Sequence, residues 1–192
     1  MSTIGVNDIS EGNIIEHNGF TWRVVSKMHV KPGKGGAFMQ VELKDIRRGT
    51  KLNERFRSSE SVEKVDLESS EATFLYSDGD TLEIMEDSTY EQFTVPKSIL
   101  GEKIAFLTDN MPVKIQKIGD EVIDIMLPAT VILTVEDVAP FIKGQTVTAT
   151  YKPAKLSNGV TVAVPQFVEV GEKIVVKTET SEYVERAKQI NA

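Results

Sequence analysis

Short β-branched and aromatic runs, each stopped by Gly, Asn or Asp, recur from one end of this chain to the other, and a sustained helical apolar repeat is hard to find. Such a chain buries its apolar side chains on sheets, with alternate residues facing inward. Glu16-His17-Asn18-Gly19-Phe20 carries an Asn-Gly hairpin signal. Trp22, Val24, Ser26, Met28 and Val30 are spaced to share one face of a strand, and Ala37, Met39, Val41 and Leu43 one face of the next. Arg47-Arg48-Gly49-Thr50 reads as a turn, followed by a polar strand over Lys51–Arg57.

The same grammar continues downstream. Phe74-Leu75-Tyr76 and Thr81–Met85 flank the turn Ser77-Asp78-Gly79-Asp80, and Val113–Ile118 and Glu121–Met126 flank Gly119-Asp120. Further strands are expected around Thr130–Val135, Thr146–Tyr151, Val160–Val164, Lys173–Lys177 and Tyr183–Arg186, with Ser157-Asn158-Gly159 as a turn. Pro96–Lys103 is the one stretch that suits a short helix, with Pro near its start. The polar stretch Ser58–Asp66 and the drop in charge density near Leu127-Pro128 mark boundaries. They give three domains: residues 1–64, 65–128 and 129–192. Roughly five short strands in each predict an all-β protein of small closed barrels, SH3-like or OB in type.

A hydrophobic content of 40% argues against disorder throughout. The apolar runs are too short for a membrane helix, and the N-terminus lacks a basic region and an apolar core, so no membrane or secretory route is expected. The absence of cysteine excludes disulfides and thiolate chemistry and fits a reducing cytoplasm. Charge is unevenly spread. Basic and acidic side chains number eleven and eight in residues 1–64, four and fourteen in 65–128, and seven and seven in 129–192. The middle segment would repel phosphates, so a polyanion belongs on the first.

Lys31-Pro32-Gly33-Lys34-Gly35-Gly36 joins the strands at Trp22–Val30 and Ala37–Leu43. Pro32 suits the second position of a tight turn, and Gly33 suits the positive φ that a type II turn needs at the third. Lys34 is then the one long side chain at the tip, in a setting that fits a reaching or chemically modified lysine. The loop is not a phosphate-binding P-loop: glycine, not serine or threonine, follows the lysine, and a strand comes next. No Gly-x-Ser-x-Gly or His-Glu-x-x-His occurs. Neither His17 nor His29 has a neighbouring ligand set; His29 reads as a strand-surface residue or a contact at the ligand end of the hairpin. The acids of the middle segment read as a solvated face. A Schiff-base role for Lys34 lacks the burial or neighbouring cation that would depress its pKa.

Val30-Lys31-Pro32-Gly33-Lys34-Gly35-Gly36-Ala37-Phe38 resembles the tip loop of the bacterial translation elongation factor P family. The run from Lys152 to Gly171, with Ala154, Gly159, Val162, Val164, Pro165 and Val168, resembles that family's C-terminal signature. Phe56-Arg57-Ser58, Phe74-Leu75-Tyr76, Tyr90-Glu91-Gln92 and Glu182–Arg186 extend the similarity over the whole chain. Ser181 stands where relatives usually have glycine, and Thr148-Ala149-Thr150-Tyr151 where some have a glycine-rich run.

The resemblance implies an SH3-like (KOW-like) barrel followed by an acidic OB barrel and a C-terminal OB barrel, in an L-shaped, tRNA-like arrangement. It implies a non-enzymatic, monomeric, cytoplasmic factor without cofactor or metal that binds the 70S ribosome beside the P-site tRNA. There it promotes peptide-bond formation at consecutive prolines by positioning the CCA end, a catalysis by orientation. Lys34 takes the place of the family lysine that a synthetase-like enzyme extends, commonly with β-lysine. On this reading Lys31 adds a phosphate contact, and Arg23, Lys27, Arg47, Arg48, Lys51, Arg55 and Arg57 form a basic face for the acceptor arm, with His29 a further candidate. Their other reading is a solvated surface with salt bridges to Glu42, Asp45 and Glu54. Tyr183 and Arg186 match positions near the small subunit and anticodon stem, although Tyr183 could equally cap its barrel; the loop beginning at Gly144 to Thr146 lies towards the small subunit. The alternative is a general OB-fold RNA-binding or chaperone protein, which would show exposed aromatics on a basic sheet.

Overall fold

In the computed structural model, residues 1–139 and 150–188 are described. Their regular structure is almost entirely β. The first sheet comprises β1 (Ser2–Gly5), β2 (Ile14–His17), β3 (Phe20–Val30), β4 (Phe38–Asp45), β5 (Lys51–Arg57) and β6 (Ser61–Val65), in the order β1-β6-β2-β3-β4-β5. The Asn-Gly signal forms as expected: His17 pairs with Phe20, and Asn18 and Gly19 both have positive φ, 52° and 79°. That is the backbone of a two-residue hairpin turn whose twist matches its strands.

Ala37, Met39, Val41 and Leu43 do alternate inward, and Met39, Val41 and Leu43 are buried with Ile15, Trp22, Val24 and Phe56. Each such side chain contributes about 1.5–3 kcal/mol on burial. The β3 expectation is corrected. The β3–β4 register shifts between Val24 and Ser26, so Val24 pairs with Leu43 while Lys27 pairs with Val41 and His29 with Met39. A bulge at Val25 therefore reverses the alternation. Trp22 and Val24 face the core, and Ser26, Met28 and Val30 face away from it.

Within Ser58–Asp66, β6 occupies the second half, pairs with both β1 and β2, and buries Val62 and Val65. Two valines suffice to anchor a strand whose remaining positions are polar.

The second sheet has β7 (Glu68–Asp78), β8 (Thr81–Glu86), β9 (Gln92–Pro96), β10 (Pro112–Ile118) and β11 (Glu121–Met126), ordered β11-β10-β7-β8-β9. The stretch after Pro96 is not an α-helix but two 3-10 turns, Lys97–Ile99 and Gly101–Phe106. Gly101 takes φ 57°, which interrupts any continuous helix. The third sheet has β12 (Thr130–Val138), β13 (Tyr151–Leu156), β14 (Thr161–Pro165), β15 (Lys173–Lys177) and β16 (Glu182–Arg186), ordered β14-β13-β12-β15-β16.

The strand expected over Thr146–Tyr151 lies outside the described residues except at its last two positions, as does the loop beginning at Gly144 to Thr146. Strand β13 begins at Tyr151 and runs through Pro153. Phe106, from the second 3-10 turn, is buried in the third sheet's core with Val135, Leu156 and Val176.

By compactness the chain forms two units, Met1–Ser69 with Gln116–Ile123, and Ser70–Ile115 with the described part of Asp124–Ala192.

Candidate nucleic-acid interface on the first sheet

Val30 and Phe38 close the β3–β4 hairpin, and residues 31–36 between them are all exposed. The expected type II turn does not form. Gly33 lacks a positive φ, and the left-handed position falls on Gly35, at φ 114°. A Cβ built on Gly33, Gly35 or Gly36 would meet nothing within 4 Å. Lys34 therefore stands in open space, with Lys31 and Pro32 exposed beside it.

The register of β3, β4 and β5 then decides which cations share a face. Phe38 lies between Val30 and Arg57; Gln40 between Met28 and Arg55; Glu42 between Ser26 and Asn53; Lys44 between Arg23 and Lys51. This is the face turned away from the core. Next to the lysine loop it carries Arg55 and Arg57, with exposed Met28 and half-buried Phe38. The Arg55 guanidinium lies 4.3 Å over the Phe38 ring, and the Arg57 side chain is exposed. At the far end it carries Arg23, Lys44 and Lys51. Lys51 Nζ is 3.3 Å from Glu42 Oε1.

The other basic candidates are placed elsewhere. Lys27 lies on the opposite face and donates from Nζ to the Ile9 carbonyl at 2.6 Å. His29 shares that face and is exposed. Arg47 makes a two-pronged pair with Glu121, at 3.3 and 2.9 Å, and this hydrogen-bonded carboxylate raises the guanidinium pKa further. Arg48 donates to buried Asp45 at 2.9 Å and lies 3.9 Å over the Phe20 ring.

Burial acts to raise the Asp45 pKa. Hydrogen bonds from the Arg48 and Arg47 amides, both 2.8 Å, and from the Arg48 side chain outweigh it and hold the carboxyl below its usual value. Arg47 and Arg48 thus serve a turn as much as a surface.

In the third sheet Tyr183 packs against the core. Arg186 donates to the Phe167 carbonyl at 2.9 Å, lies 4.3 Å over that ring and approaches Glu172 at 3.4 Å.

Two residues of the β3–β5 face escaped the reading of the sequence. Lys44 belongs to it by simple alternation from Leu43, a signal present in the chain. Phe38 as a platform for Arg55 was not legible, because the β4–β5 register joins residues that are far apart in sequence.

The class to which this arrangement of small β modules belongs, a translation factor, follows from its similarity to known proteins. Residues 5–62 match the Elongation factor P (EF-P) KOW-like domain, residues 67–125 its OB domain and residues 131–186 its C-terminal domain. Elongation factor P of Acidiphilium cryptum (strain JF-5) is 50% identical over 182 residues, which is 95% of this chain and 97% of that protein. Elongation factor P of Rickettsia bellii (strain OSU 85-389) is 52% identical over 187 residues, covering 96% and 99%. Among solved structures, eukaryotic translation initiation factor 5A from Methanococcus jannaschii shares the fold, with TM-score 0.53 at 24% identity over 66% of this chain and 92% of that one. The chain belongs to the bacterial elongation factor P family. Among the described residues, no helix is long and apolar enough to cross a membrane.

Proposed function

We propose that this translation factor acts in the cytoplasm as a monomer, binds the ribosome beside the P-site tRNA, and speeds peptide-bond formation at consecutive prolines. It performs no chemistry of its own and uses no cofactor or metal. The Lys34 side chain, extended covalently by a synthetase-like enzyme with a β-lysyl or similar aliphatic group, reaches the CCA end and holds it in the reactive orientation. Arg55, Arg57 and Lys31 contact phosphates behind it, contacts that position rather than specify.

The observation that carries this reading is that all six residues of Lys31–Gly36 are exposed, at the end of a hairpin whose outer face bears Arg55 and Arg57. An unburied lysine with open space at its flanking glycines is accessible both to a modifying enzyme and to an RNA end.

Two measurements test it. Peptide mass spectrometry of the protein from its native host should show a mass increase on Lys34. Lys34→Ala should leave stability within about 0.5 kcal/mol, as an exposed loop residue does, yet abolish the stimulation of Pro-Pro-Pro synthesis in a reconstituted translation system. Full stimulation by the variant would overturn the mechanism.

A further inference from the structure

The chain has two Asn-Gly pairs among its described residues, Asn18-Gly19 and Asn158-Gly159, and the fold treats them differently. In such a pair the glycine peptide nitrogen, unhindered by a side chain, attacks the asparagine carboxamide carbon. A C–N bond forms, the C–NH2 bond breaks and ammonia leaves. Water then opens the cyclic imide to aspartate or isoaspartate and is the only co-reactant.

At half-buried Asn158 the reacting groups are tied down. Nδ2 donates to the Ala105 carbonyl at 3.2 Å, Oδ1 accepts from the Val160 amide at 3.2 Å, and the Gly159 amide donates to the Leu156 carbonyl at 2.9 Å. Asn18 and Gly19 are both exposed in their two-residue turn, and a Cβ at Gly19 would meet nothing within 4 Å. The Asn18 Nδ2 is 3.2 Å from His17 Nε2.

That contact falls on the nitrogen that must depart. An amide nitrogen leaves only once protonated, and a general acid within hydrogen-bond reach supplies the proton. His17 Nε2 also lies 3.1 Å from Glu54 Oε2, and the His17 ring packs edge-on against Phe56 at 5.1 Å between centroids. The imidazole is thus held in place: with its proton on Nε2 it donates to Glu54 Oε2, and the same nitrogen lies within reach of Asn18 Nδ2, which gains an accepting lone pair once the glycine nitrogen has added to the carboxamide carbon.

We propose that Asn18 is a self-modifying site at which His17 acts as general acid, converting Asn18 to aspartate or isoaspartate. The product adds a carboxylate beside the His17–Glu54 pair, which links β2 to β5, strands that are not neighbours in the sheet. Isoaspartate also inserts a backbone methylene into a turn closed by the His17–Phe20 pair. The modification therefore loosens the lysine-bearing sheet with age.

The test is incubation of the full chain at neutral pH over days, with peptide mass spectrometry at both Asn-Gly sites. Asn18 should convert at least about tenfold faster than Asn158, and His17→Gln should slow conversion at Asn18 by about tenfold or more. Glu54→Gln disturbs the same seam but keeps the imidazole, and should retain most of the conversion. Equal rates at the two sites would overturn the proposal. An unchanged or faster rate in His17→Gln, or an equal slowing in Glu54→Gln, would remove His17 from it.

Discussion

The guanidinium of Arg55 lies 4.3 Å over the ring of Phe38, the residue that closes the lysine hairpin opposite Val30. Phe38 also pairs with Arg57, so one aromatic ring ties the loop's exit to the strand that carries both arginines. A double-mutant cycle with Arg55→Ala and Phe38→Leu should give a coupling of about 0.5–1 kcal/mol in chemical denaturation, the size of an exposed cation–π contact. A coupling of zero would mean that the stacking does not persist in solution.

The three glycines of the loop are not equivalent. Gly35→Ala should cost about 1–2 kcal/mol, because φ 114° is a region that L side chains rarely adopt. Gly33→Ala, at a position without positive φ and with open space around it, should change stability by less than about 0.5 kcal/mol. Urea midpoints of the two variants decide the matter; equal effects would contradict the assignment of the left-handed position to Gly35.

Asp45 makes the stability of the first sheet sensitive to acid. Its folded-state pKa lies below the ordinary value of 3.8, so its stabilisation is fully present above that value. The stabilisation is lost as pH falls from there through the lowered folded-state pKa. Asp45→Asn should cost about 1–3 kcal/mol at neutral pH, where it removes charged acceptance of the Arg47 and Arg48 hydrogen bonds. The gap between variant and parent should shrink as pH falls below the usual carboxylate range. A gap independent of pH would show that the carboxylate charge contributes nothing.

Ser181 takes φ 56° in the turn before β16, and its amide donates to the Lys177 carbonyl at 2.9 Å. Glycine there would relieve the left-handed strain, offset in part by its greater freedom in the unfolded chain. Ser181→Gly should raise stability by about 0.5–1 kcal/mol, seen as a higher thermal midpoint. A lower midpoint would mean that the serine side chain supports the turn.

Much of this architecture is legible without the structure. The Asn18-Gly19 turn, the inward alternation from Met39 to Leu43 and the hairpin that presents Lys34 follow from neighbours in the chain. The illegible parts have identifiable causes. Tyr151–Leu156 contains Pro153 and two lysines, which disguise a strand that pairs on both sides. Ser61–Val65 looks like a linker because only Val62 and Val65 are buried. The bulge at Val25 leaves no mark in composition, yet it moves Met28 onto the basic face and Lys27 off it.

The all-β character, the turn positions and the exposed lysine were written locally, since strand alternation and turn chemistry act over a few residues. Which cations face outward together was settled only by tertiary register. Arg47 meets Glu121, 74 residues away, Lys27 reaches back to the Ile9 carbonyl, and Arg55 stacks on Phe38 across a strand pair. Coulombic and stacking interactions depend on distance through space, and one bulged residue changes those distances for every side chain beyond it.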